Sequence, residues 1–382
     1  MNNTAINYQT LSEPPLVIGR SILFTVTTDL TYDQRMIRIC SSLVQAGYKV
    51  TLVGRKIKNS IPLNEMPFKQ KRINCLFEKG KLFYTEYNIR LFFFLLFKKM
   101  DCIGAIDLDT ILPCYFISRI KKTKRVYDAH ELFCEMKEIV TRPVIYKVWK
   151  KIEQFTVTKF GAGYTVNQPI AAELKKMYGV DYEVIRNIAV LRRLPEVEKK
   201  EKFILYQGAV NEGRSFETLI PAMKEVDCKL VICGDGNFMQ QAQLLVKENN
   251  LQQKVIFKGK ITPEALRTIT CQAYIGVTLF ENNGLSNYYS LANRFFDYLH
   301  AGIPQLCVDY PVYKEINEQQ PVAELINDIS SVNLAFQLNN LLHNEVVYSK
   351  LQQNCISVRE TLNWQAEEKK LFQFYNNLFV TK

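Results

Sequence analysis

Six groups of residues in this chain have types and spacings that could do chemistry. The first is Tyr206-Gln-Gly-Ala-Val-Asn-Glu-Gly-Arg-Ser215, an apolar run entering a glycine-containing loop with a cation, then a helical segment. Free backbone N–H groups there, with Gly208, Gly213 and Arg214, suit a phosphate or diphosphate; a plain turn with a surface arginine is spelled the same way. The second is Cys233-Gly-Asp-Gly-Asn237, where Gly234 and Gly236 flank Asp235. Two glycines let a ligand approach the main chain, and they also suit an empty tight turn. The third runs from Asn287 through Ser290 to Pro304; in it Asn293 and Asp297 are four apart and share a helix face. A carboxylate there either accepts hydrogen bonds from sugar hydroxyls such as a ribose, or stands solvated. The fourth is Tyr127-Asp-Ala-His-Glu-Leu-Phe-Cys-Glu135, which holds one of only three histidines. Asp128 and Glu131 flank His130 and can set its tautomer and charge. The fifth, Asp107-Leu-Asp109, spells a DxD that could hold a divalent cation on a diphosphate. Three letters specify little, a strand-end aspartate needs no ligand, and no metal is expected. The sixth, Tyr84 to Lys99, contains Leu91-Phe-Phe-Phe-Leu-Leu-Phe97 followed by two lysines. It suits an anionic bilayer surface or a greasy core helix with a charged end.

The elements that position these groups follow from periodicity. Ile22–Val26, Lys49–Val53, Cys102–Ile106, Arg125–Tyr127 and Gly163–Val166 read as strands, and Gln34–Ala46 as an amphipathic helix. The charged, proline-containing run 191–202 has no periodicity and reads as a linker. Beyond it the pattern restarts. Strands are expected at Phe203–Tyr206, Lys229–Cys233, Val255–Phe257, Tyr274–Val277 and Gln305–Val308. Helices are expected at Phe216–Val226, Asn237–Asn249, Pro263–Cys271 and Leu291–His300. Such alternation specifies parallel sheets covered on both faces. The fold class is therefore α/β, with two Rossmann-like, doubly wound halves in tandem. Their ligand belongs beyond the carboxyl ends of the strands, in the cleft between them. Arg214 and Asp297 are expected on one wall of that cleft and His130 on the other.

Composition excludes several classes. With 382 residues, 47% of them hydrophobic, the chain has material for two cores and is not disordered. Its longest apolar run is far shorter than a membrane span. Met1 to Leu11 lacks a basic stretch followed by an apolar one, so no leader is expected. Ten cysteines without paired spacing read as free thiols of a reducing, cytoplasmic compartment. The net charge of +11 is uneven: Gly54 to Lys99 holds eleven basic residues against three acids, and Arg119-Ile-Lys-Lys-Thr-Lys-Arg125 lies just beyond. An anionic surface or substrate is the expected partner, with 84–99 and 119–125 docking on the inner face of the cytoplasmic membrane. Neither half carries GxGxxG, a P-loop, a Ser-His-Asp order or zinc spacing. The aromatics form one block and no nucleic-acid motif is present, so nucleic acid is not an expected partner.

Taken together, Tyr127–Phe133, Leu205–Gly208 with Gly213-Arg214, Val231–Gly236 and Ser290–Pro304 resemble the GT-B glycosyltransferases. The likeness is to the retaining family 4, in particular its bacterial polysaccharide and lipopolysaccharide assembly type. The resemblance implies an N-terminal acceptor-binding domain, 1–190, and a nucleotide-sugar-binding domain, 203–362. It also implies a last helix, 363–382, that crosses back to the first domain. The implied activity is a hexosyltransferase one: a sugar moves, with retention and without metal, from a nucleotide-sugar to a glycan or lipid-linked acceptor in cell-surface polysaccharide synthesis. No cofactor beyond the donor is implied. Arg214 stands at the family's second phosphate-binding cation, Asp297 at the glutamate that holds the ribose, and His130 at the histidine near the donor sugar. Two positions depart. The first phosphate-binding arginine falls at Ala209, leaving Lys260 to supply the charge, and the first glutamate of a pair falls at Tyr289, leaving Glu281 or the loop Gly284–Ser290. A GT-B-fold epimerase would need no acceptor, and a non-catalytic binding subunit would turn nothing over; these are the two rival readings.

Overall fold

The structure, a computed structural model, describes residues 19–195 and 201–380. The segment Met1 to Leu11, the centre of the expected linker and the last two residues lie outside the described residues.

The first half forms a seven-stranded sheet. Its strands are β1 (Ser21–Thr25), β2 (Lys49–Lys56), β3 (Lys69–Asn74), β4 (Cys102–Ile106), β5 (Lys124–Ala129), β6 (Gly163–Thr165) and β7 (Glu183–Val184). They lie in the order β3-β2-β1-β4-β5-β6-β7, every pair parallel. The second half forms a six-stranded parallel sheet from β8 (Phe203–Gln207), β9 (Lys229–Cys233), β10 (Val255–Gly259), β11 (Ile275–Thr278), β12 (Gln305–Val308) and β13 (Ala323–Ile326). Its order is β10-β9-β8-β11-β12-β13. Chain direction along each sheet reverses once, between β1 and β4 and between β8 and β11. Those switch points are where open α/β sheets leave a crevice.

The central strands are the ones the sequence shows plainly, because both of their faces are buried: all five residues of β4 are buried. Three strands were not expected. β3 is an edge strand, Lys-Gln-Lys-Arg-Ile-Asn, in which only Ile73 is buried, and an edge lined with lysine resists pairing with another chain. β7 is two residues long, and β13 is the other edge of the second sheet. The helix expected at Phe216–Val226 stops at Ala222, because Pro221 has no N–H to continue the ladder.

The last helix, Trp364–Val380, leaves the second half and packs on the first. Trp364 Nε1 donates to Ser42 Oγ at 2.9 Å, and Ser42 Oγ donates to Glu368 Oε2 at 2.8 Å. Phe374 meets the ring of Tyr164 edge-on at 5.2 Å. Burying side chains of this size contributes about 1.5–3 kcal/mol each, so the crossing helix ties the two halves together.

The sixth group is a helix that is core on one face. The helix Gly80–Leu96 buries Phe83, Tyr87, Leu91 and Leu95 at four-residue spacing. Its other face leaves Leu82, Ile89 and Phe93 exposed, with Phe97 81% exposed at the end. The helices Ile111–Lys121 and Pro143–Thr156 lie alongside, joined through the rings of Tyr115 and Phe155 at 5.4 Å, and they expose Phe116, Ile120, Val144 and Val148.

Candidate active site

On the second-half wall, the loop after β8 carries the first group. Gly208 and Gly213 both have positive φ. The loop after β9 packs against it so closely that a Cβ on Gly234, at φ +153°, would sit 1.8 Å from Gly208 O. One on Gly236 would sit 2.3 Å from Val210 O. These two glycines therefore let one loop approach another. Lys260 is 80% exposed, with Nζ 4.0 Å from Asp235 Oδ2.

Arg214 is held by a relay of hydrogen bonds. Its Nη1 donates to Asn287 Oδ1 at 3.3 Å; Asn287 Nδ2 donates to Asn283 Oδ1 at 2.6 Å; Asn283 Nδ2 donates to Glu281 Oε2 at 3.0 Å. Glu281 N also donates to Gly213 O at 3.0 Å. The loop Glu281 to Asn287 thus positions the Arg214 guanidinium. Tyr289 serves the domain contact instead: its carbonyl accepts from Asn167 Nδ2 at 2.7 Å, and its ring packs on the first-half core. Ser290 N donates to Asn287 O at 3.2 Å, closing this short turn.

On the first-half wall, His130 lies at the end of β5 between two carboxylates. Its N–H donates to Asp107 Oδ1 at 3.0 Å, Nδ1 lies 3.1 Å from Asp107 Oδ2, and Nε2 lies 3.3 Å from Asp128 Oδ2. Burial alone would push its pKa down, but Asp107 and Asp128 hold it well above the ordinary histidine value, favouring the protonated ring. Asp128 is fully buried and grips Arg35 with two bonds, Nη2 at 2.8 Å and Nε at 3.2 Å. Burial pushes Glu131 and Asp109 up to about 7 each, with Asp107 adding to both. The DxD aspartates go to different partners, Asp107 to His130 and Asp109 to Thr27. Glu131 Oε2 accepts from Ser286 Oγ across the cleft at 3.5 Å, and its charge acts on Arg214.

Asp297 occupies a second region. It lines a cavity of about 630 Å³ with Asn293, Gln207 and the first-half residue Arg38. Gln207 Nε2 donates to Asp297 Oδ2 at 2.7 Å, and burial pushes Asp297 up to about 6 while Arg38 pulls the other way. Asn187 Nδ2 donates to Asn293 Oδ1 at 2.7 Å, joining the halves at its rim. The wall also carries Arg193, Arg267 and Arg359, a cationic lining suited to an anion. Arg214 and His130 do not line this cavity. The expected single hollow is therefore two neighbouring regions, Asp297 with Arg38 in one and Arg214, Glu131 and His130 in the other. Asp297 shares its cavity with Arg38 and with Arg192 to Pro195 at the start of the linker.

Residues 189–358 match the family described as "Glycosyl transferases group 1". The second domain is a group 1 glycosyltransferase domain. The frame around it is the GT-B fold. Over 98 residues it is 33% identical to a Campylobacter jejuni enzyme, N-acetylgalactosamine-N,N'-diacetylbacillosaminyl-diphospho-undecaprenol 4-alpha-N-acetylgalactosaminyltransferase. That match covers 25% of this chain and 26% of the relative, so the chain spans about a quarter of that relative's length. A 154-residue stretch is 25% identical to adenylate kinase of Helicobacter pylori (strain G27), over 38% of this chain and 80% of that one. The chain has no phosphate-binding P-loop to support kinase chemistry. Among solved structures, sucrose-phosphate synthase from Thermosynechococcus elongatus superposes with a TM-score of 0.79 at 16% identity, covering 95% of this chain and 100% of that one. An Anabaena protein solved with UDP and glucose superposes with a TM-score of 0.72 at 12% identity, again over 95% and 100%.

Sequence reasoning passed over Arg38 and Arg294. Arg38 lies on the helix Gln34–Gln45 of the first half, and Arg294 sits between two residues already singled out. Nothing in a linear pattern says that Arg38 reaches the cavity beside Asp297 or that Arg294 packs against the Gly208 loop.

Proposed function

We propose that this glycosyltransferase moves a sugar from a nucleotide-sugar donor to a lipid-linked glycan at an anionic membrane surface, with retention of configuration. The observation that carries the donor reading is the cavity between the halves, in which the carboxyl of Asp297 faces a wall of arginines. A carboxylate of that kind suits a ribose diol, and the glycine loop with Arg214 in the neighbouring region suits the diphosphate that the ribose carries. The bond from the anomeric carbon to the diphosphate oxygen breaks and one to the acceptor oxygen forms, with release of the acceptor's hydroxyl proton. Arg214, fixed by Asn287, neutralises the departing diphosphate. His130, a cation between Asp107 and Asp128, orients the donor sugar. No protein nucleophile is assigned. Charge neutralisation is given to arginines and not to a metal ion, a reading supported by the separate partners of Asp107 and Asp109.

The acceptor reading rests on the three-helix face. Phe93, Phe97, Phe116, Ile120, Val144 and Val148 are exposed there among lysines and arginines, including Lys98, Arg119 and Lys147. Apolar side chains that enter the headgroup boundary, ringed by cations, suit a bilayer with anionic lipids. No helix among the described residues is long and apolar enough to cross a membrane. The Campylobacter relative, by its name, acts on a diphospho-undecaprenol-linked sugar, which favours the same acceptor class here.

A thermal-shift panel of sugar nucleotides tests the donor. One member should raise the Tm with a dependence on concentration, and Arg214→Ala should lower both that shift and turnover. Wild-type turnover in Arg214→Ala removes the assignment.

A further inference from the structure

The chain has alanine at 209, where the family it resembles carries a phosphate-binding arginine. The structure brings a guanidinium to the same loop from another element. Arg294, on the helix Asn293–His300, is buried, at 7% exposure. Its guanidinium carbon lies 4.8 Å from the ring centre of Tyr206 and 4.6 Å from that of Phe280. Nη1 donates to the Tyr206 hydroxyl at 3.4 Å and Nη2 to Leu279 O at 3.2 Å. The Tyr206 hydroxyl in turn donates to Ala209 O at 2.6 Å. A Cβ on Gly208 would lie 3.5 Å from Arg294 Nη1, so the guanidinium sits directly behind the loop.

Arg214 approaches the same aromatic ring, its guanidinium carbon 4.3 Å from the centre of Phe280. Two guanidiniums thus share one phenyl ring at the edge of one glycine loop. Neither has a carboxylate at ion-pair distance among the described residues. Burial, and then Arg294 itself, push Arg214 below the ordinary arginine value. Like charges drawn together and partly out of water are unfavourable unless an anion joins them. Lys260, by contrast, stands 80% exposed beside Asp235.

We propose that Arg294 is a donor-binding residue: with Arg214 it holds the diphosphate at the Gly208–Gly213 loop, in place of the cation absent at 209. This rests on the nucleotide-sugar reading above. Two ring contacts and two hydrogen bonds already hold the guanidinium, so it adds its charge without ordering a flexible side chain on binding.

Inorganic pyrophosphate is the probe, because it carries the charge without a base or sugar. Its affinity for the full chain is measured by calorimetry across salt concentrations. Wild type should bind with a clear salt dependence. Arg294→Met keeps the aromatic packing and should bind about ten- to a hundredfold more weakly, the range for losing a charge-assisted hydrogen bond. Its salt dependence should also flatten, which a packing role would not produce. Arg294→Lys should recover part of the loss, and it serves as the test if the methionine variant does not fold. A folded Arg294 variant with wild-type pyrophosphate affinity overturns the proposal, as does a loss seen only in Lys260→Ala. If wild type binds neither pyrophosphate nor any sugar nucleotide, the donor reading itself fails and this assignment falls with it.

Discussion

The ionisation of Asp297 offers a direct handle on donor binding. Its carboxyl is buried, accepts one bond from Gln207 at 2.7 Å and is pushed up to about 6. If it holds a ribose diol, only the ionised form accepts both hydroxyls well. About a tenth of the molecules carry that form at pH 5 and about nine tenths at pH 7, so donor affinity should rise roughly tenfold over that interval. Glu131, pushed up to about 7, acts in the opposite sense. Its negative charge falls on Arg214 and competes with the diphosphate as pH climbs further. The profile should therefore be bell-shaped, rising through about pH 6 and falling through about pH 7. The assay is calorimetric titration of an intact sugar nucleotide, whose diphosphate diester does not itself titrate in this range, from pH 5 to 8. Asp297→Asn should weaken binding by about 1.5–3 kcal/mol and remove the acid limb alone; Glu131→Gln should remove the alkaline limb alone. A flat profile in wild type, or an acid limb that survives Asp297→Asn, refutes the reasoning.

Two further predictions follow from charge placement. Arg35 and Asp128 form a buried pair at 2.8 Å, so Asp128→Leu or Arg35→Met alone should lower urea-unfolding stability by about 3–5 kcal/mol. The double variant should lose much less than the sum, and additive losses would count against a coupled pair. Burial alone would raise Asp128, but Arg35 and His130 hold it below the ordinary aspartate value. That stability is present above the unfolded pKa and should disappear as pH falls through the depressed folded one. At the membrane face, the wild-type chain should sediment with vesicles rich in phosphatidylglycerol and release as salt rises. Phe93→Ser with Phe97→Ser and Val148→Ser should weaken that binding and leave donor affinity intact; equal binding to neutral vesicles would argue against the surface.

The double α/β plan was legible in the chain's periodicity, because central parallel strands are apolar on both faces and cannot be mistaken for polar loops. Cys102–Ile106, Lys229–Cys233 and Gln305–Val308 were legible to the residue. Three of the four edge strands were not: β3 carries three cations in six residues because an edge strand meets water. The sequence also marked His130, Arg214 and Asp297 as polar residues at strand ends or on a helix face. Only the tertiary structure decided their company. It set Asp297 opposite Arg38 in one region and His130 beside Glu131 in another. It turned Gly234 and Gly236 toward a neighbouring loop, and it brought Arg294 behind Gly208. Periodicity fixes which face of an element is buried, because burial depends on local alternation. Which charges meet across a cleft depends on how two sheets are set against each other, and that is written in contacts a hundred or more residues apart.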